Sequence, residues 1–228
     1  MPDPVFLITG ASSGIGAATA RRAAENGYRL VLAARSQDKL DALALELGGP
    51  YRALAVSCDV TEFDQQEAMV AAALEHFGSV DVVFANAGFG AARGFLNDTP
   101  EHRRDMVLTN VLGAAYTIRA CIPALKETTG HLLLTSSVAG RRVITGSLYS
   151  ATKHAVTAMA EAARQDLEGT GIRVTSIEPG MVDTPFFARK PESALEPDDI
   201  ARAVLFAVSQ PPHVDVNEIL IRPTAQAI

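Results

Sequence analysis

The stretch Phe6-Leu7-Ile8-Thr9-Gly10-Ala11-Ser12-Ser13-Gly14-Ile15-Gly16 constrains this chain more than any other, because an apolar run breaks there into a glycine- and serine-rich turn and re-emerges as an alanine-rich helical pattern. It predicts a buried strand, a tight turn and a helix N-terminus in immediate succession. Gly10 can take the positive φ that a tight turn needs, Gly14 lets the backbone approach a ligand, and Gly16 lets helix and strand pack closely. The unpaired N–H groups of the first helical turn then face an anion. The spacing is G-x-x-x-G-x-G and not G-x-G-x-x-G, so taken alone the turn is also compatible with a strand–helix connection that holds no ligand.

A chain of 228 residues is long enough to bury one large core, which predicts a single α/β domain over residues 1–228. Hydrophobic residues at 48% and charged residues at 20% exclude a disordered chain. A net charge of −6 without blocks of like charge argues against nucleic-acid binding. Cys58 and Cys121 lie far apart and lack metal-ligand spacing, so neither a disulfide framework nor a metal site is expected. The first apolar run is too short for a signal peptide or a membrane span, and the expected location is cytoplasmic.

Along the chain, apolar runs alternate with helical patterns. Val5–Thr9 reads as a strand, residues 17–26 as a helix ended by Gly27, and Leu30–Ala34 as a second strand followed by Arg35-Ser36. Where an acidic residue at this point would bind a ribose 2′-OH, an arginine accommodates a 2′-phosphate. Arg35 therefore predicts NADP(H) over NAD(H), unless it is simply a solvated arginine at a strand end. A helix from Gln37 to Leu47 leads to a third strand, Ala53–Ser57, and to Cys58-Asp59-Val60-Thr61, with Thr61 as the expected cap of a helix reaching about Phe77. Asp59, beside Val60 at a strand end, suits an adenine amino group and equally suits a plain turn.

Val80–Ala85 reads as a fourth strand ending in Asn86-Ala87-Gly88, small enough for a cofactor to lie against. Residues 89–98 form a loop beside the cleft. From about Pro100 to Leu125 the pattern is helical with a break near Met106, and Asn110 sits in it among apolar neighbours, where it must find partners. His131–Thr135 delivers Ser136 and Ser137, and Tyr149 and Lys153, four apart on one face of a helix reaching Leu167, follow a glycine-containing loop. Arg173–Glu178 is a strand ended by Pro179-Gly180. The segment after it, about 184–197, suits a mobile loop over a substrate or a plain surface loop, and its Arg189 and Lys190 are compatible with meeting a carboxylate or with solvation. Asp198 is the expected cap of a last helix to Ser209, and Glu218–Arg222 a last strand.

Several of these motifs occur together and in order: the turn from Thr9 to Gly16, Asn86-Ala87-Gly88, Asn110, Ser136-Ser137-Val138-Ala139-Gly140, Tyr149 with Lys153, and Pro179-Gly180 followed by Thr184. On them the chain resembles the short-chain dehydrogenase/reductase family over its whole length. The resemblance implies a Rossmann-like, doubly wound sheet of about seven parallel strands with helices on both faces, and a homodimer or homotetramer joined through two long helices. Ala151, Ala155, Ala158, Ala160, Ala162 and Ala163 independently fit a helix packed on more than one side.

The resemblance further implies a catalytic set of Asn110, Ser137, Tyr149 and Lys153. It implies NADP(H) held by Gly10, Ser12, Ser13, Gly14, Ile15, Gly16, Arg35, Asp59, Val60, Asn86, Ala87, Gly88, Tyr149, Lys153, Pro179, Gly180 and Thr184. Of the two serines, Ser137 matches the catalytic position. Tyr149 would pass a proton to or from the substrate oxygen, Lys153 would lower the phenol's pKa, Ser137 would bind the substrate oxygen, and Asn110 would hold a water beside Lys153. The loop between Ser137 and Tyr149 is one residue shorter than is common in the family. The ending Asn217–Gln226 resembles the NADP-dependent group that acts on serine and other 3-hydroxy acids. A small hydroxy acid is the expected substrate, with a bulkier ketone or a non-catalytic NADP(H) sensor as alternatives.

Overall fold

The structure, a computed structural model, describes residues 3–187 and 192–226. Its strands are β1 Val5–Thr9, β2 Arg29–Ala34, β3 Ala53–Ser57, β4 Val82–Ala85, β5 His131–Thr135, β6 Arg173–Pro179 and β7 Glu218–Ile221. They form one sheet in the order β3-β2-β1-β4-β5-β6-β7, with every neighbouring pair parallel. The helices are α1 Gly14–Glu25, α2 Gln37–Glu46, α3 Phe63–Phe77, α4 Pro100–Val107, α5 Ala114–Thr128, α6 Leu148–Asp166 and α7 Pro197–Val208.

The strands read as unbroken apolar runs because both faces of the sheet are covered. Successive side chains of β1 go to opposite faces: Val5 and Leu7 join the core under α3, α5 and α6, while Phe6 and Ile8 join the core under α1, α2 and α7. This is the doubly wound arrangement that the family resemblance implied.

Two helix caps differ from expectation. Thr61 does not cap α3; its hydroxyl donates to Asp59 Oδ1 at 2.8 Å and the helix starts from Glu62. Asp198 does not cap α7, because its carboxylate faces Arg22 at 2.6 Å; Glu196 is the cap, and its N–H donates to Asp199 Oδ2 at 2.8 Å in a reciprocal capping box. The expected break near Met106 falls two residues later and is a change of winding. Leu108–Gly113 form a π-helical segment that joins α4 to α5 without a turn. Gly113 is required there, since a Cβ would lie 2.7 Å from Val60 Cγ2.

The continuous run Pro100–Thr128 is long and apolar enough to cross a membrane by length and composition alone. In this fold α5 buries Thr117, Cys121, Ala124 and Leu125. On α6, Ala160 and Ala163 are buried, whereas Ala151, Ala158 and Ala162 face outward on the single chain.

The tightest approach of helix to strand is at Gly16, where a Cβ would run into the Gly10 carbonyl and lie 2.9 Å from Asn86 Nδ2. Both neighbours are held, so there is no side chain to swing aside. Gly16→Ala is expected to lose about 1–3 kcal/mol, the usual cost of overpacking a filled site, read as a lower thermal midpoint by circular dichroism. An unchanged midpoint would mean that the turn has slack.

Candidate active site

One cavity of about 810 Å³ opens at the C-terminal ends of the strands, where the order reverses between β1 and β4. Among the residues singled out from sequence, Gly10, Ser12, Ser13, Gly14, Ile15, Arg35, Asp59, Val60, Asn86, Ala87, Gly88, Ser137, Tyr149, Lys153, Pro179, Gly180 and Thr184 line it. Gly16 and Asn110 do not; both stand behind the wall and shape it.

At one end lies the glycine-rich turn. Gly10 (φ 67°) and Gly14 (φ 53°) are in the left-handed region, and a Cβ on Gly10 would come within 2.9 Å of the Ala87 backbone. The N-terminus of α1 has neither a side-chain cap from Ser13 nor an acidic residue in its first turn. Its orphan N–H groups and dipole therefore remain available to a phosphate. Across the cavity Arg35 and Ser36 follow β2, and Arg35 is exposed, with no side-chain hydrogen bond or ion pair among the described residues. The donor set fits a dinucleotide carrying an extra phosphate: unpaired N–H groups, serine hydroxyls and a guanidinium, with no carboxylate at the end of β2. Asp59 Oδ1 is spent on Thr61, accepting from its N–H at 3.0 Å and its hydroxyl at 2.8 Å. Asn86 is a tie between strands: its Nδ2 donates to the Thr9 carbonyl at 3.1 Å, and its Oδ1 accepts from the Thr135 hydroxyl at 3.1 Å.

At the other end Ser137, Tyr149 and Lys153 converge. The two serines after β5 are sharply distinguished. Ser136 turns back to α6, donating to the Lys153 carbonyl at 3.0 Å, whereas the Ser137 hydroxyl donates to the Pro179 carbonyl at 3.2 Å and accepts from the Ala139 N–H at 3.1 Å. Lys153 is buried; its Nζ donates to the Thr135 carbonyl at 2.7 Å and sits 5.6 Å from the centre of the Tyr149 ring. Burial pushes the Tyr149 phenol up to about 12, with a hydrogen bond from Ser137 working against it, and pushes the Lys153 ammonium down to about 8. Desolvation thus disfavours both charged forms, whereas the expected lowering of the phenol's pKa relies on Lys153 together with the charge of the oxidised nicotinamide.

Asn110 owes its mid-helix place to the π segment. Its Oδ1 accepts from the Phe89 N–H at 3.0 Å, and its Nδ2 donates to the Phe89 carbonyl at 2.9 Å and to Thr152 Oγ1 at 3.1 Å. A Cβ on Gly88 would lie 3.0 Å from Asn110 Oδ1 and 3.6 Å from Lys153 Nζ, so this glycine is what lets the two come to one spot.

Other contributors were not singled out individually as site residues from sequence. Phe186 lies edge-on to Tyr149 with ring centroids 5.3 Å apart, and a Cβ on Gly90 would be 2.5 Å from its Cζ. Gln226, near the end of the chain, lines the cavity and its Oε1 accepts from the Met181 N–H at 2.8 Å. Arg93, on the loop after Phe89, lines the cavity and has no side-chain partner among the described residues. Arg189 and Lys190 lie outside the described residues. Phe186 and Gln226 reach the site only through tertiary packing, though the charge of Arg93 in a cleft-side loop was open to notice.

A family model described as short chain dehydrogenase matches residues 4–194. An uncharacterised oxidoreductase of Staphylococcus epidermidis is 38% identical over 229 residues, covering 97% of each chain. Among solved structures, an alcohol dehydrogenase from the archaeon Thermococcus sibiricus, complexed with 5-hydroxy-NADP, is similar with a TM-score of 0.92 and 36% identity, covering 99% of this chain and 98% of that one. The closed form of a serine dehydrogenase complexed with NADP+ is similar with a TM-score of 0.90 and 30% identity, covering 98% and 96%.

The buried ammonium has a consequence for stability. With its pKa lowered to about 8, the folded protein holds this proton less tightly than the unfolded chain, so the charge costs stability in full below pH 8. The cost fades as pH rises toward the ordinary value of 10.5. Lys153→Met is expected to raise the thermal midpoint at pH 7, with the gain shrinking above pH 8, as followed by scanning calorimetry. A variant less stable than the parent at pH 7 would contradict this.

Proposed function

The chain belongs to the short-chain dehydrogenase family, and we propose that it is an NADP(H)-dependent oxidoreductase interconverting an alcohol and a carbonyl, with a small 3-hydroxy acid as substrate. One observation carries the reading. A single cavity joins an uncapped helix N-terminus and Arg35, unpaired among the described residues, at one end to Ser137, Tyr149 and Lys153 at the other. The nicotinamide, when bound, supplies the hydride donor or acceptor. What falls to the chain is placement and one proton.

In reduction, the Tyr149 hydroxyl gives its proton to the substrate oxygen; in oxidation it takes that proton back. A phenol pushed up to about 12 by burial is kept protonated at neutral pH, ready to act as an acid. Oxidation needs the phenolate, and the Lys153 ammonium, together with the Ser137 hydroxyl, stabilises it. Ser137 turns its hydroxyl proton from the Pro179 carbonyl to the substrate oxygen, where negative charge develops. Asn110 is a positioning residue in this scheme: it fixes the Phe89 backbone and, beside Gly88, stands next to Lys153 on the path by which a water would reach the ammonium.

The hydroxy-acid reading is supported by the serine dehydrogenase among the similar structures and by Arg93, whose guanidinium suits a carboxylate. Phe89, Ile144, Phe186 and Phe187 also line the cavity, and this apolar wall favours a second reading, reduction of a bulkier ketone.

Purified protein is expected to reduce NADP+ with serine, 3-hydroxybutyrate or 3-hydroxyisobutyrate, and Tyr149→Phe to lower turnover at least about 10²-fold. Near-normal turnover by the variant overturns the Tyr149 role. Silence on all three acids with reduction of apolar ketones by NADPH selects the second reading. Arg35→Ala is expected to weaken NADPH far more than NADH in fluorescence titrations, and equal loss for both would remove the 2′-phosphate role.

A further inference from the structure

Glu178, 1% exposed at the end of β6, is a buried carboxylate for which the proton chemistry above has no use. Its two oxygens take parallel hydrogen bonds from Arg141, Nε to Oε2 at 2.8 Å and Nη2 to Oε1 at 2.9 Å, and Oε1 accepts a third from the Ser176 hydroxyl at 3.0 Å. The partly exposed Arg141 also pairs with Glu218 on β7. Burying an ion pair is a poor way to gain stability, since the desolvation cost matches or exceeds the attraction. What a two-pronged pair does supply is a fixed distance and a fixed plane between two backbone segments.

The segments it joins are the two that hold Ser137. Arg141 directly follows the 3-10 turn Val138–Gly140, whose Ala139 N–H donates to the Ser137 hydroxyl. Glu178 directly precedes Pro179, whose carbonyl accepts from that hydroxyl. The turn is seated on α6 on its other side: a Cβ on Gly140 would lie 2.5 Å from Ser136 Oγ and 2.7 Å from the Lys153 carbonyl. With α6 fixing one side and the ion pair the other, Ser137 is strung between two anchored strands of backbone beside Tyr149.

We propose that Arg141 and Glu178 are positioning residues, a clamp across the Ser137 turn that sets where the serine hydroxyl stands relative to the Tyr149 phenol. The inference rests on the role of Ser137 in the proposed function. Loosening the clamp misplaces the hydroxyl and leaves the nucleotide end of the cavity as it was.

The test is a double-mutant cycle in the intact protein. Glu178→Gln is expected to lower kcat by up to about 10²-fold, the loss that a misplacement of roughly 1 Å can cause. The Kd for NADPH should stay within about twofold. Arg141→Lys, which keeps the charge and loses the fork, is expected to fall between this variant and the parent. In a Ser137→Ala background, Glu178→Gln should cost little more, because the group it positions is already gone. Losses that multiply instead show the pair acting independently of Ser137 and overturn the clamp while the proposed function stands. Normal turnover by Ser137→Ala overturns the serine's role and the clamp with it. If Glu178→Gln does not fold, Arg141→Lys carries the same cycle.

Discussion

Thr9 Oγ1 accepts the backbone N–H groups of Asn86 at 3.0 Å and Ala87 at 3.2 Å across the seam between β1 and β4, and Asn86 returns a hydrogen bond to the Thr9 carbonyl. Everything in the cavity is referred to this seam. It is where the strand order reverses, so the connections on either side lead away from each other and leave a crevice above the strand ends. The glycine turn leaves β1 there, the small Asn86–Gly88 segment leaves β4, and β5 is drawn in through the Thr135 hydroxyl on Asn86 Oδ1. Three strand ends are thereby held in fixed relation before any ligand arrives.

The reactive end uses burial where the nucleotide end uses unpaired polar groups. Lys153 is held in the interior by the carbonyl of Thr135 and by a helix that places it one turn beyond Tyr149. Neither charged form is comfortable there, which is why the phenol rises and the ammonium falls. In the proposed function such a site holds its proton until a substrate oxygen or a neighbouring positive charge changes the balance. The fold accepts a loss of stability to keep this poise, as functional sites commonly do. The π segment at Leu108–Gly113 belongs to the same economy of means: it departs from ordinary helix so that Asn110 can reach Phe89 and Thr152 at once.

Much of the architecture was legible because a doubly wound sheet leaves a strong trace. The expected β1, β3 and β5 coincide with the observed strands, and the remaining strands differ only at their ends. The caps were less legible. Thr61 and Asp198 are good capping types in plausible places, but Asp59, only two residues away, takes the Thr61 hydroxyl, and Arg22, distant in sequence, takes the Asp198 carboxylate with no local pattern to announce it. The winding of the helix around Asn110 was visible only as an expected break near Met106 and an awkward polar residue in an apolar run. The cavity wall was legible wherever backbone chemistry demanded a residue type, as at Gly10, Gly14 and Gly88. It was not where a side chain arrives from a distant segment, as with Phe186 and Gln226.

The residue order by itself determined the alternation of strands and helices, the glycine turn, the four-residue spacing of Tyr149 and Lys153 on one helix face and the absence of a carboxylate after β2. These are local matters of periodicity, φ preference and charge, and each can be read without knowing what lies opposite. Only the tertiary structure decided which partners the Ser136 and Ser137 hydroxyls take, how far Tyr149 and Lys153 are withdrawn from water, and that Arg141 meets Glu178 across the serine's turn. The physical reason is common to all three: desolvation and hydrogen-bond partnership depend on what the fold brings next to a group, and those neighbours come from strands and helices far along the chain.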